Sequence, residues 1–571
     1  MSRPENLTPY RWQVSPPIPP RFRQQFSHVH PVLLQVLYNR GLADAAHMQA
    51  FLEGHYLESR DPFLLADMDK AVARIQQAVE KKEIIIVYGD FDADGVTSTV
   101  LLTQALRGLG MEREQVQPYI PDRVDEGYGL NKEALTKLRD RGAGLVISVD
   151  CGIRSLAEVE HANDMGLDMI ITDHHSLGQH LPPALAVINP KRPDSAYPEK
   201  MLAGVGIAYK LAQALRQAMP DRATYADEDL LDLVAIGTVA DLAPLLRENR
   251  LLVIEGLKVL NMAQRPGVAA LARVVGVQPG SITAETIGFG LGPRINAAGR
   301  LAHAYTAAKL LAANNGVLAN QYAGELNQLN QERRMMTTRL GQHAETLIDP
   351  QAPILIAADD QFVAGVVGLV ASRLQEKYYR PAIVIEKGET ESRGSCRSID
   401  EFHITDALDE MADLLVQYGG HAQAAGLTIS NENLEAFVTR MTELARRKLD
   451  GLDLRPTIPL DVEVPLRDVD WALHEVLRQL EPTGYANATP LFASRGVQVI
   501  DYRAVGSDGA HLQITVSDGF HGVKGIAFRQ GAWAGHLPQR VDIAYTLGVN
   551  EWNGRRNLQL NIQDIRAADE Q

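Results

Sequence analysis

Three aspartates at alternate positions stand out near residue 90 of the 571-residue chain. Asp90, Asp92 and Asp94 lie between two glycines in the stretch GDFDADG, residues 89–95. Carboxylates this close together repel one another unless a cation lies among them. Oxygen ligands are those that Mg²⁺ and Mn²⁺ prefer, so the cluster predicts a divalent metal site. A solvated acidic loop after a strand is the alternative, and the rest of the chain decides between the two.

Further acids and histidines follow other predicted strands. Strands and helices alternate in this part of the chain, which predicts a parallel sheet with buried apolar strands. These strands are Ile84–Val87, Leu145–Val149 and Met169–Thr172. The first precedes the aspartate cluster, the second precedes Asp150, and the third precedes Asp173, His174 and His175. Ligands bind beyond the carboxyl ends of such strands, so three polar strand ends on one edge favour a site.

Two helices are predicted beside this edge, within an α/β region that runs from about residue 70 to 245. A helix over Thr97–Leu109 points its free N–H groups and positive dipole end at the aspartates. A strongly apolar helix over Asp229–Val239 ends just before Asp241. An aspartate at a helix end is commonly a cap or a solvated residue, but here it is also a candidate for a missing ligand.

A glycine-rich segment, GFGLGPRINAAGRL at residues 288–301, is a candidate for binding phosphate. Glycine permits close approach of the backbone, and Arg294, Asn296 and Arg300 supply hydrogen-bond donors. A glycine-rich connection with solvated arginines is the alternative.

A second α/β region is predicted over residues 351–450, after a long helix over Val317–Ile348 that connects two domains. The segment SRGSCRS, residues 392–398, predicts a strand with alternating polar side chains. On a strand, alternate residues share one face, which predicts an anion-binding face. Its members are Arg393, Ser395 and Arg397.

The C-terminal part of the chain, from about residue 456 to 567, predicts a small β-barrel. Five short alternating segments are separated by turns with glycine, aspartate and asparagine, and an OB-fold is the natural candidate. They are Gly496–Tyr502, His511–Ser517, Gly522–Phe528, Val541–Leu547 and Asn557–Ile562. OB barrels stack bases on aromatic side chains over a basic groove. The candidates here are Phe528, Trp552, Arg555 and Arg556, although a single aromatic residue is more often part of a core.

Composition narrows the class of protein. The chain has 45% hydrophobic residues and a length that exceeds one core, so several globular domains are expected. Its two cysteines fit a reducing compartment, and we expect a cytoplasmic protein without a signal peptide or membrane span. The net charge of −15 argues against a general nucleic-acid coat protein. It leaves room for an enzyme with a local basic groove.

Taken together, the motifs of the chain resemble those of the DHH phosphoesterase superfamily. Four segments look like its motifs: GDFDADG at 89–95, VDCG at 149–152, TDHH at 172–175 and VADLAPL at 239–245. GGHAQAAG at 419–426 is similar to the glycine–histidine motif of the associated DHHA1 domain. From about residue 50 to 567, their order and spacing are similar to those of the bacterial single-strand-specific exonucleases of this superfamily, which carry a C-terminal OB-fold.

The resemblance implies two divalent ions, Mn²⁺ or Mg²⁺, with Asp150 as the bridging ligand. The other implied ligands are Asp90 and Asp92 for one ion, and Asp94, His174 and Asp241 for the second. Because a histidine ligand suits Mn²⁺ better than Mg²⁺, we expect Mn²⁺ to support activity.

The resemblance also implies catalytic and substrate-binding roles. His175 is the candidate for a catalytic or phosphate-contacting group, with a structural hydrogen-bond donor as the alternative. Asp173 is expected to orient a neighbouring ligand of the metal site instead of binding the metal itself. Gly419 and Gly420 are expected to form a tight turn that points His421 into a cleft, where it contacts substrate. The segment 288–301 is expected to face the substrate, and the segment 392–398 to contact a terminal phosphate.

The implied architecture is an α/β multidomain protein in five parts. They are an N-terminal arm packed on the first domain (1–50), a DHH domain (51–305), a connecting helix (306–350), a DHHA1 domain (351–450) and an OB-fold (451–571).

The implied function is a metal-dependent exonuclease acting in DNA recombination and repair. It is expected to hydrolyse single-stranded DNA from the 5′ end to mononucleotides by two-metal-activated water. The expected partners are a single-stranded DNA-binding protein and a helicase, and the chain is expected to be a monomer. Two alternatives stay open: a phosphodiesterase of small molecules or short oligonucleotides, and a non-catalytic single-strand binding or scaffold protein.

Overall fold

The computed structural model describes residues 4, 7–123, 125–552 and 554–568, without the side chain of Trp552. The chain divides into two compact units. The first comprises Met1–Leu57 and Asp453–Gln571, and the second comprises Glu58–Leu452. Among the helices of the described residues, none combines the length and apolar character that crossing a bilayer needs.

The strands are given in chain order. They are β1 (Arg11–Val14), β2 (Ile84–Gly89), β3 (Val116–Tyr119), β4 (Ala143–Val149), β5 (Asp168–Thr172), β6 (Ala186–Ile188), β7 (Leu355–Asp359), β8 (Ala382–Glu386), β9 (Glu391–Arg397), β10 (Leu415–His421), β11 (Ala424–Ser430), β12 (Thr457–Leu460), β13 (Val462–Glu463), β14 (Phe492–Val505), β15 (His511–Ser517), β16 (Gly522–Ala527), β17 (Arg540–Trp552) and β18 (Arg555–Ala567).

The α-helices follow in the same way. They are α1 (Pro20–Gln25), α2 (Pro31–Asn39), α3 (Ala45–Glu53), α4 (Met68–Lys81), α5 (Ala93–Gly108), α6 (Lys132–Asp140), α7 (Leu156–Asp164), α8 (Gly204–Ala218), α9 (Leu231–Ala240), α10 (Arg247–Asn261), α11 (Pro266–Val275), α12 (Ala284–Thr286), α13 (Gly292–Leu301), α14 (Tyr305–Leu311), α15 (Gly316–Leu347), α16 (Ala364–Tyr378), α17 (Ile404–Asp409), α18 (Leu434–Leu449) and α19 (Trp471–Leu477).

The second unit contains the predicted parallel sheet, with strand order β3-β2-β4-β5-β6. Its neighbouring strands all run parallel. Ile85 and Val87 enter the core on one face, and Ile86 and Tyr88 enter a separate core on the other. Both faces of β2 are therefore buried, which explains its continuous apolar run. All carboxyl ends meet at one edge.

The second unit also contains a mixed sheet with strand order β10-β11-β9-β8-β7. Only β7 and β8 pair in parallel, while β8–β9, β9–β11 and β11–β10 are antiparallel. The long helix α15 lies between the two sheets in the chain and packs against α13, which precedes it, and α16, which follows it. The connecting helix predicted over Val317–Ile348 is thus confirmed within one residue at each end.

The first unit contains a closed barrel of five strands in the order β14-β15-β16-β18-β17, closed by pairing of β14 with β17. The five predicted strands are therefore confirmed, although most are longer than predicted. The N-terminal segment belongs to this unit, because β1 pairs in parallel with β12. The indole N–H of Trp12 also donates to Asp564 at 2.7 Å. The backbone and indole of this segment therefore find partners in the unit that contains the barrel, and its predicted packing on the first α/β domain stays a prediction.

Three local predictions need correction. Helix α5 begins at Ala93 instead of Thr97, because the aspartate cluster itself supplies the cap. The segment 288–301 is not an open glycine loop but a π-helical turn followed by α13. Its glycines serve close packing: a Cβ on Gly299 would lie 2.4 Å from the Phe91 carbonyl oxygen. The pair Gly419–Gly420 lies inside strand β10, opposite β11, and forms no tight turn.

Candidate active site

The carboxyl ends of β2, β4 and β5 bring the predicted acids and histidines together. Their ligand atoms lie within 4.8 Å of one another in three overlapping groups, and every metal ligand implied by the resemblance belongs to at least one group. The groups are Asp90, Asp92 and Asp150; Asp94, His174 and Asp241; and Asp150, His174 and His175. Because Asp150 and His174 are each shared by two groups, the three form one continuous centre.

The turn from β2 to α5 holds the first three aspartates in fixed positions. Asp92 is the N-cap of α5, and its Oδ1 accepts the backbone N–H groups of Asp94 at 2.9 Å and Gly95 at 3.0 Å. Asp90 and Asp94 are almost completely buried. The cap satisfies two of the free N–H groups at the start of the helix and so fixes the position of the Asp92 carboxylate.

Asp94 also binds the start of a second helix. Its two carboxylate oxygens accept the backbone N–H groups of Gly204 at 2.7 Å and Val205 at 2.8 Å, in the first turn of α8. A Cβ on Gly204 would lie 2.6 Å from the Cβ of Asp150. A Cβ on Gly237 of α9 would lie 2.9 Å from Asp94 Oδ1. Glycines at both positions therefore let α8 and α9 pack directly on the acidic centre.

Asp150 has an unusual backbone. Its φ of +61° lies in the left-handed region, as does the φ of +57° at Leu242, next to Asp241. Such conformations are unfavourable for residues with a Cβ and persist where surrounding structure imposes them. Asp150 donates its N–H to the carbonyl of Thr172, which ties the end of β4 to the end of β5.

His174 lies among three aspartates, with its Nε2 3.9 Å from Asp94 Oδ2. Its Nε2 is 3.1 Å from Asp150 Oδ1, and its Nδ1 is 3.7 Å from Asp241 Oδ2. Within the described residues, neither His174 Nε2 nor Asp150 Oδ1 makes a hydrogen bond, although both are buried. Burial lowers the pKa of His174 to about 3, and so the ring is neutral, the form in which imidazole binds metals.

His175 has a different environment. Its Nδ1 lies 2.8 Å from Asp173 Oδ1, and Asp173 also accepts backbone N–H groups from Ile153 and His175. Burial opposes protonation, but the hydrogen bond and charge of Asp173 outweigh it and raise the pKa of His175. The Tyr128 hydroxyl approaches the same ring nitrogen at 3.4 Å. His175 is thus oriented by Asp173 and suited to hold a proton, while its side chain stays 41% exposed.

The electrostatics of the centre call for added positive charge. Burial, followed by the charges of neighbouring aspartates, raises the pKa of Asp94 to about 7 and that of Asp241 to about 9. The same causes raise the pKa of Asp90 and Asp150 well above the ordinary value. Asp90 Oδ1 and Asp150 Oδ1 are buried and accept no hydrogen bond from any described residue. Carboxylate oxygens with an imidazole nitrogen form a donor set that fits divalent cations, Mn²⁺ in particular.

A cleft of about 530 Å³ opens beside the acidic centre. Phe91, between two of the aspartates, and Tyr128, beside His175, line its wall. Four arginines also line it: Arg123, Arg300, Arg393 and Arg397. The guanidinium groups of the cleft, next to the acidic centre, can hold a phosphate by charge-assisted hydrogen bonds.

The three predicted residues of β9 all line this cleft. Arg393, Ser395 and Arg397 alternate along the strand and therefore share one face. Arg397 donates to Ser395 Oγ at 3.1 Å and to the Cys396 carbonyl at 2.7 Å. Arg300, which also lines the cleft, donates to the carbonyl of Gly365 at 3.1 Å.

Two predicted phosphate-binding residues have structural partners, and their role in binding substrate stays a prediction. Asn296 Oδ1 accepts the backbone N–H of Ala93 at 2.7 Å and so stabilises the acidic loop. Arg294 donates to Asn327 Oδ1 at 3.0 Å and to the Gly290 carbonyl at 2.8 Å. Neither contributes to the lining of the cleft within the described residues.

The motif around His421 contributes backbone more than side chain. Gly419 and Gly426 line the cleft, whereas His421 is exposed at the end of β10 and is absent from the described lining. Its carbonyl accepts the hydroxyl of Thr405 at 2.8 Å. A role of His421 in substrate contact or catalysis stays a prediction.

The barrel candidates lie in the first unit. Arg555 and Arg556 begin β18, and the guanidinium of Arg556 lies 5.7 Å from the ring centroid of Trp471. Phe528 is 61% exposed. Trp552 ends β17, and its side chain lies outside the described part of the chain. Their role in binding DNA stays a prediction.

Several residues of the site were not identified from the sequence. Arg123 lies over the ring of Phe91 at 4.7 Å and stabilises the charges of Asp90 and Asp92. Tyr128 lies between two glycines with positive φ, a local signal that could have identified it. Lys191 donates to the carbonyl of His174 at 2.5 Å. The N–H groups at the start of α8 also belong to the site. Their only trace in the sequence is a pair of glycines at the start of an apolar helix, which is a weak signal.

Comparisons with known proteins agree with this architecture. Family models match at residues 84–238 (DHH family, N-terminal domain), 351–447 (DHHA1 domain) and 460–564 (RecJ OB domain). The chain is 37% identical to the single-stranded-DNA-specific exonuclease RecJ of Bacillus subtilis, covering 98% of this chain and 71% of the relative. It is 36% identical to the protein of that name from Escherichia coli K12, covering 94% and 96%.

Solved structures give the same result. The crystal structure of RecJ from Thermus thermophilus in complex with Mn²⁺ matches with a TM-score of 0.84 and 31% identity. The match covers 98% of this chain and 79% of that one. Acids at the edge of a parallel sheet, followed by a DHHA1 domain, define a DHH phosphoesterase. With the RecJ OB domain and relatives of this identity over nearly its whole length, the chain belongs to the RecJ family.

Proposed function

We propose that this chain is an exonuclease that hydrolyses single-stranded DNA from its 5′ end to mononucleotides, with divalent metal ions. The observation that carries the proposal is a buried centre of aspartates and histidine beside an arginine-lined cleft. Relatives in the RecJ family are named as single-stranded-DNA-specific exonucleases. A buried cluster of carboxylates gives no benefit to a protein that only binds a polyanion, which speaks against the scaffold alternative.

The proposal includes two ions, for which Asp150 would be the common ligand. Asp90 and Asp92 would hold one, and Asp94, His174 and Asp241 the other. Bound there, such ions supply an acidified water and withdraw charge from the phosphoryl oxygens. The chain's part is to fix the ligands: the N–H groups of α8 orient Asp94, and the cap of α5 orients Asp92.

The neighbouring side chains act on the substrate itself. His175, oriented through Nδ1 by Asp173, presents Nε2 as a group that can donate a proton to the leaving oxygen or contact the phosphate. Arg123, Arg300 and Arg393 can bind the anionic end of a strand by charge-assisted hydrogen bonds.

The 5′ polarity is supported by the position of these arginines. A terminal phosphate carries more negative charge than an internal one, and the cleft gathers its cationic groups beside the acidic centre. A strand whose 5′ phosphate lies among the arginines presents its first phosphodiester to the carboxylates. We propose that this cleft admits a single strand and not a duplex, and that the OB-fold barrel also binds single-stranded DNA.

The test is digestion of a long single strand labelled at one end or the other, in Mn²⁺ and in EDTA. We expect immediate release of mononucleotide from the 5′ label with Mn²⁺ and none with EDTA. Early release from the 3′ label would refute the polarity. Activity on dinucleotides with none on long strands would favour a small-molecule phosphodiesterase, and tight binding without hydrolysis would favour a scaffold.

The cellular setting follows from the same proposal. A nuclease that needs a free single strand depends on a helicase to expose it and encounters the single-stranded DNA-binding protein that coats it. We propose that the chain acts with both as a cytoplasmic monomer in DNA recombination and repair. A single species at the mass of one chain in light scattering supports the monomer, and a dimer mass contradicts it.

A further inference from the structure

A second group of arginines lies outside the cleft. Arg294 of α13, Arg333 and Arg334 of α15, and Arg373 of α16 are called the arginine track below. None has a carboxylate within ion-pair distance in the described residues. In a chain with a net charge of −15, four unpaired guanidinium groups on adjacent helices are unusual.

Hydrogen bonds to neutral groups hold two members of the track against α15. Arg294 donates to Asn327, and Arg373 donates to Thr338 Oγ1 at 3.1 Å. Asn327, Arg334 and Thr338 are seven and four residues apart and therefore share one face of the helix. From Asn327 to Thr338 this face extends about 16 Å. The track is thus an ordered strip, and most of its N–H donors have no hydrogen-bond partner among the described residues.

The arginines of the track repel one another. Burial, followed by the charges of Arg334, Arg373 and Arg294, lowers the pKa of Arg333. The Nε of Arg333 is buried without a hydrogen-bond partner in the described structure. Arg333 in turn contributes to the lowered pKa of Arg300, which lines the cleft. A bound polyanion relieves this repulsion, and the track continues the positive potential of the cleft.

An exposed aromatic ring stands beside the track. Phe289 is 83% exposed and lies in the π-helical turn Ile287–Leu291, between two glycines. Arg294 donates to the carbonyl of the next residue, Gly290, which places its guanidinium close to this turn. An exposed aromatic residue next to cationic groups is the combination that single strands recognise, because bases stack and phosphates pair with arginine.

We propose that Phe289 and the arginine track form a second binding surface for single-stranded DNA, outside the cleft. One base stacks on Phe289, and the phosphates beside it lie along the guanidinium groups of α15 and α16. The surface holds a part of a long strand that the cleft does not hold. This inference rests on the proposed function, since it takes the same polymer as ligand.

The first test compares Arg334→Gln/Arg373→Gln with Arg339→Gln in the full chain. Arg339 is exposed on another face of the same helix. Binding of a labelled 20-nucleotide strand is measured in EDTA by fluorescence anisotropy over a series of salt concentrations. The slope of log K against log salt is negative, and each lost phosphate contact makes it less steep by about 0.7 for a single strand. We expect a decrease of about 1.4 for the double variant and none for Arg339→Gln.

The second test replaces the aromatic ring. Phe289→Ala should weaken binding of the 20-nucleotide strand roughly tenfold without changing the salt slope, because stacking involves no counterion release. Val317→Ala, which removes an 80% exposed apolar side chain at the start of α15, is the matched control.

The outcomes separate this inference from the proposed function. Wild-type affinity and slope in both test variants, with a wild type that digests single strands, would overturn the second surface and leave the exonuclease standing. A wild type that binds but digests no strand would overturn the exonuclease, and a reduced slope in the double variant would still support the surface.

Discussion

The two sheets of the second unit carry their candidate functional residues in different ways. In the parallel sheet, the acids follow the ends of β2, β4 and β5 and are buried at one edge. In the mixed sheet, Arg393, Ser395 and Arg397 lie within β9 and face the cleft. Parallel strands leave only their ends free for chemistry, whereas an antiparallel strand can present alternate side chains to solvent.

This difference predicts different responses to mutation. The edge residues are packed against helix starts and one another, so each depends on the geometry of its neighbours. The face residues act mainly by their charge, and several guanidinium groups share the task. Changes at the edge should therefore remove activity, and changes on the face should weaken binding.

The largest effect is expected from Asp150→Asn, which keeps the shape of the shared ligand and removes its charge. Activity on a single strand should fall on the order of a thousandfold, since a bound metal contributes several kcal/mol of charge stabilisation. Asp164→Asn, at the exposed end of α7, is the matched control and should keep full activity. If Asp150→Asn keeps activity within tenfold of wild type, Asp150 is not an essential metal ligand.

A smaller effect is expected from Gly204→Ala, which tests the geometry of the edge without touching a charge. The new Cβ meets Asp150 and displaces the N–H that Asp94 accepts. We expect roughly 10- to 100-fold lower activity together with weaker Mn²⁺ binding in calorimetry, as for other residues that orient ligands. Gly324→Ala is the control, because its Cβ meets no atom within 4 Å on α15. Equal behaviour of the two variants would contradict the proposed positioning role.

On the face, Arg393→Gln should raise KM about tenfold with little change in kcat. A hydrogen bond to a charged group contributes about 1.5–3 kcal/mol, and the other arginines of the cleft still bind the strand. The effect should be larger for strands with a 5′ phosphate than for strands with a 5′ hydroxyl. Arg446→Gln, exposed on α18, is the control. A large fall in kcat instead would mean that Arg393 contributes to the chemical step, as the acidic residues of the parallel sheet are expected to do.

The smallest effect concerns the stability of the metal-free chain. The pKa of Asp94 is raised to about 7 and that of Asp241 to about 9, whereas an unfolded aspartate titrates near 4. Above about pH 6.5, where His174 no longer contributes, the folded chain holds more protons than the unfolded chain. The free energy of unfolding therefore falls as the pH rises to about 9.

Thermal unfolding in EDTA measures this effect. Tm should fall by roughly several degrees between about pH 6.5 and pH 9. Added Mn²⁺ should raise Tm most near pH 9, where the carboxylates are charged and repel one another. Asp241→Asn should flatten the profile, since it removes one of the buried charges. A Tm in EDTA that is independent of pH in all proteins would mean that the carboxylates do not repel one another.

The sequence alone determined the parallel sheet, its acidic edge, the connecting helix and the five barrel strands. These follow from short-range patterns: apolar runs, helical and strand periodicity, and acids directly after strands such as Ile84–Gly89 and Ala143–Val149. Motif order in addition implied a ligand set whose members the structure brings together.

Only the tertiary structure decided which backbone and side-chain groups complete the site. Asp94 binds N–H groups 110 and 111 positions away, and Arg123 lies over Phe91 from another loop. The glycines of 288–301 pack a helix against the acidic loop, and β1 pairs with a strand more than four hundred residues later. Such contacts depend on which distant segments pack together, and local periodicity carries no information about that packing.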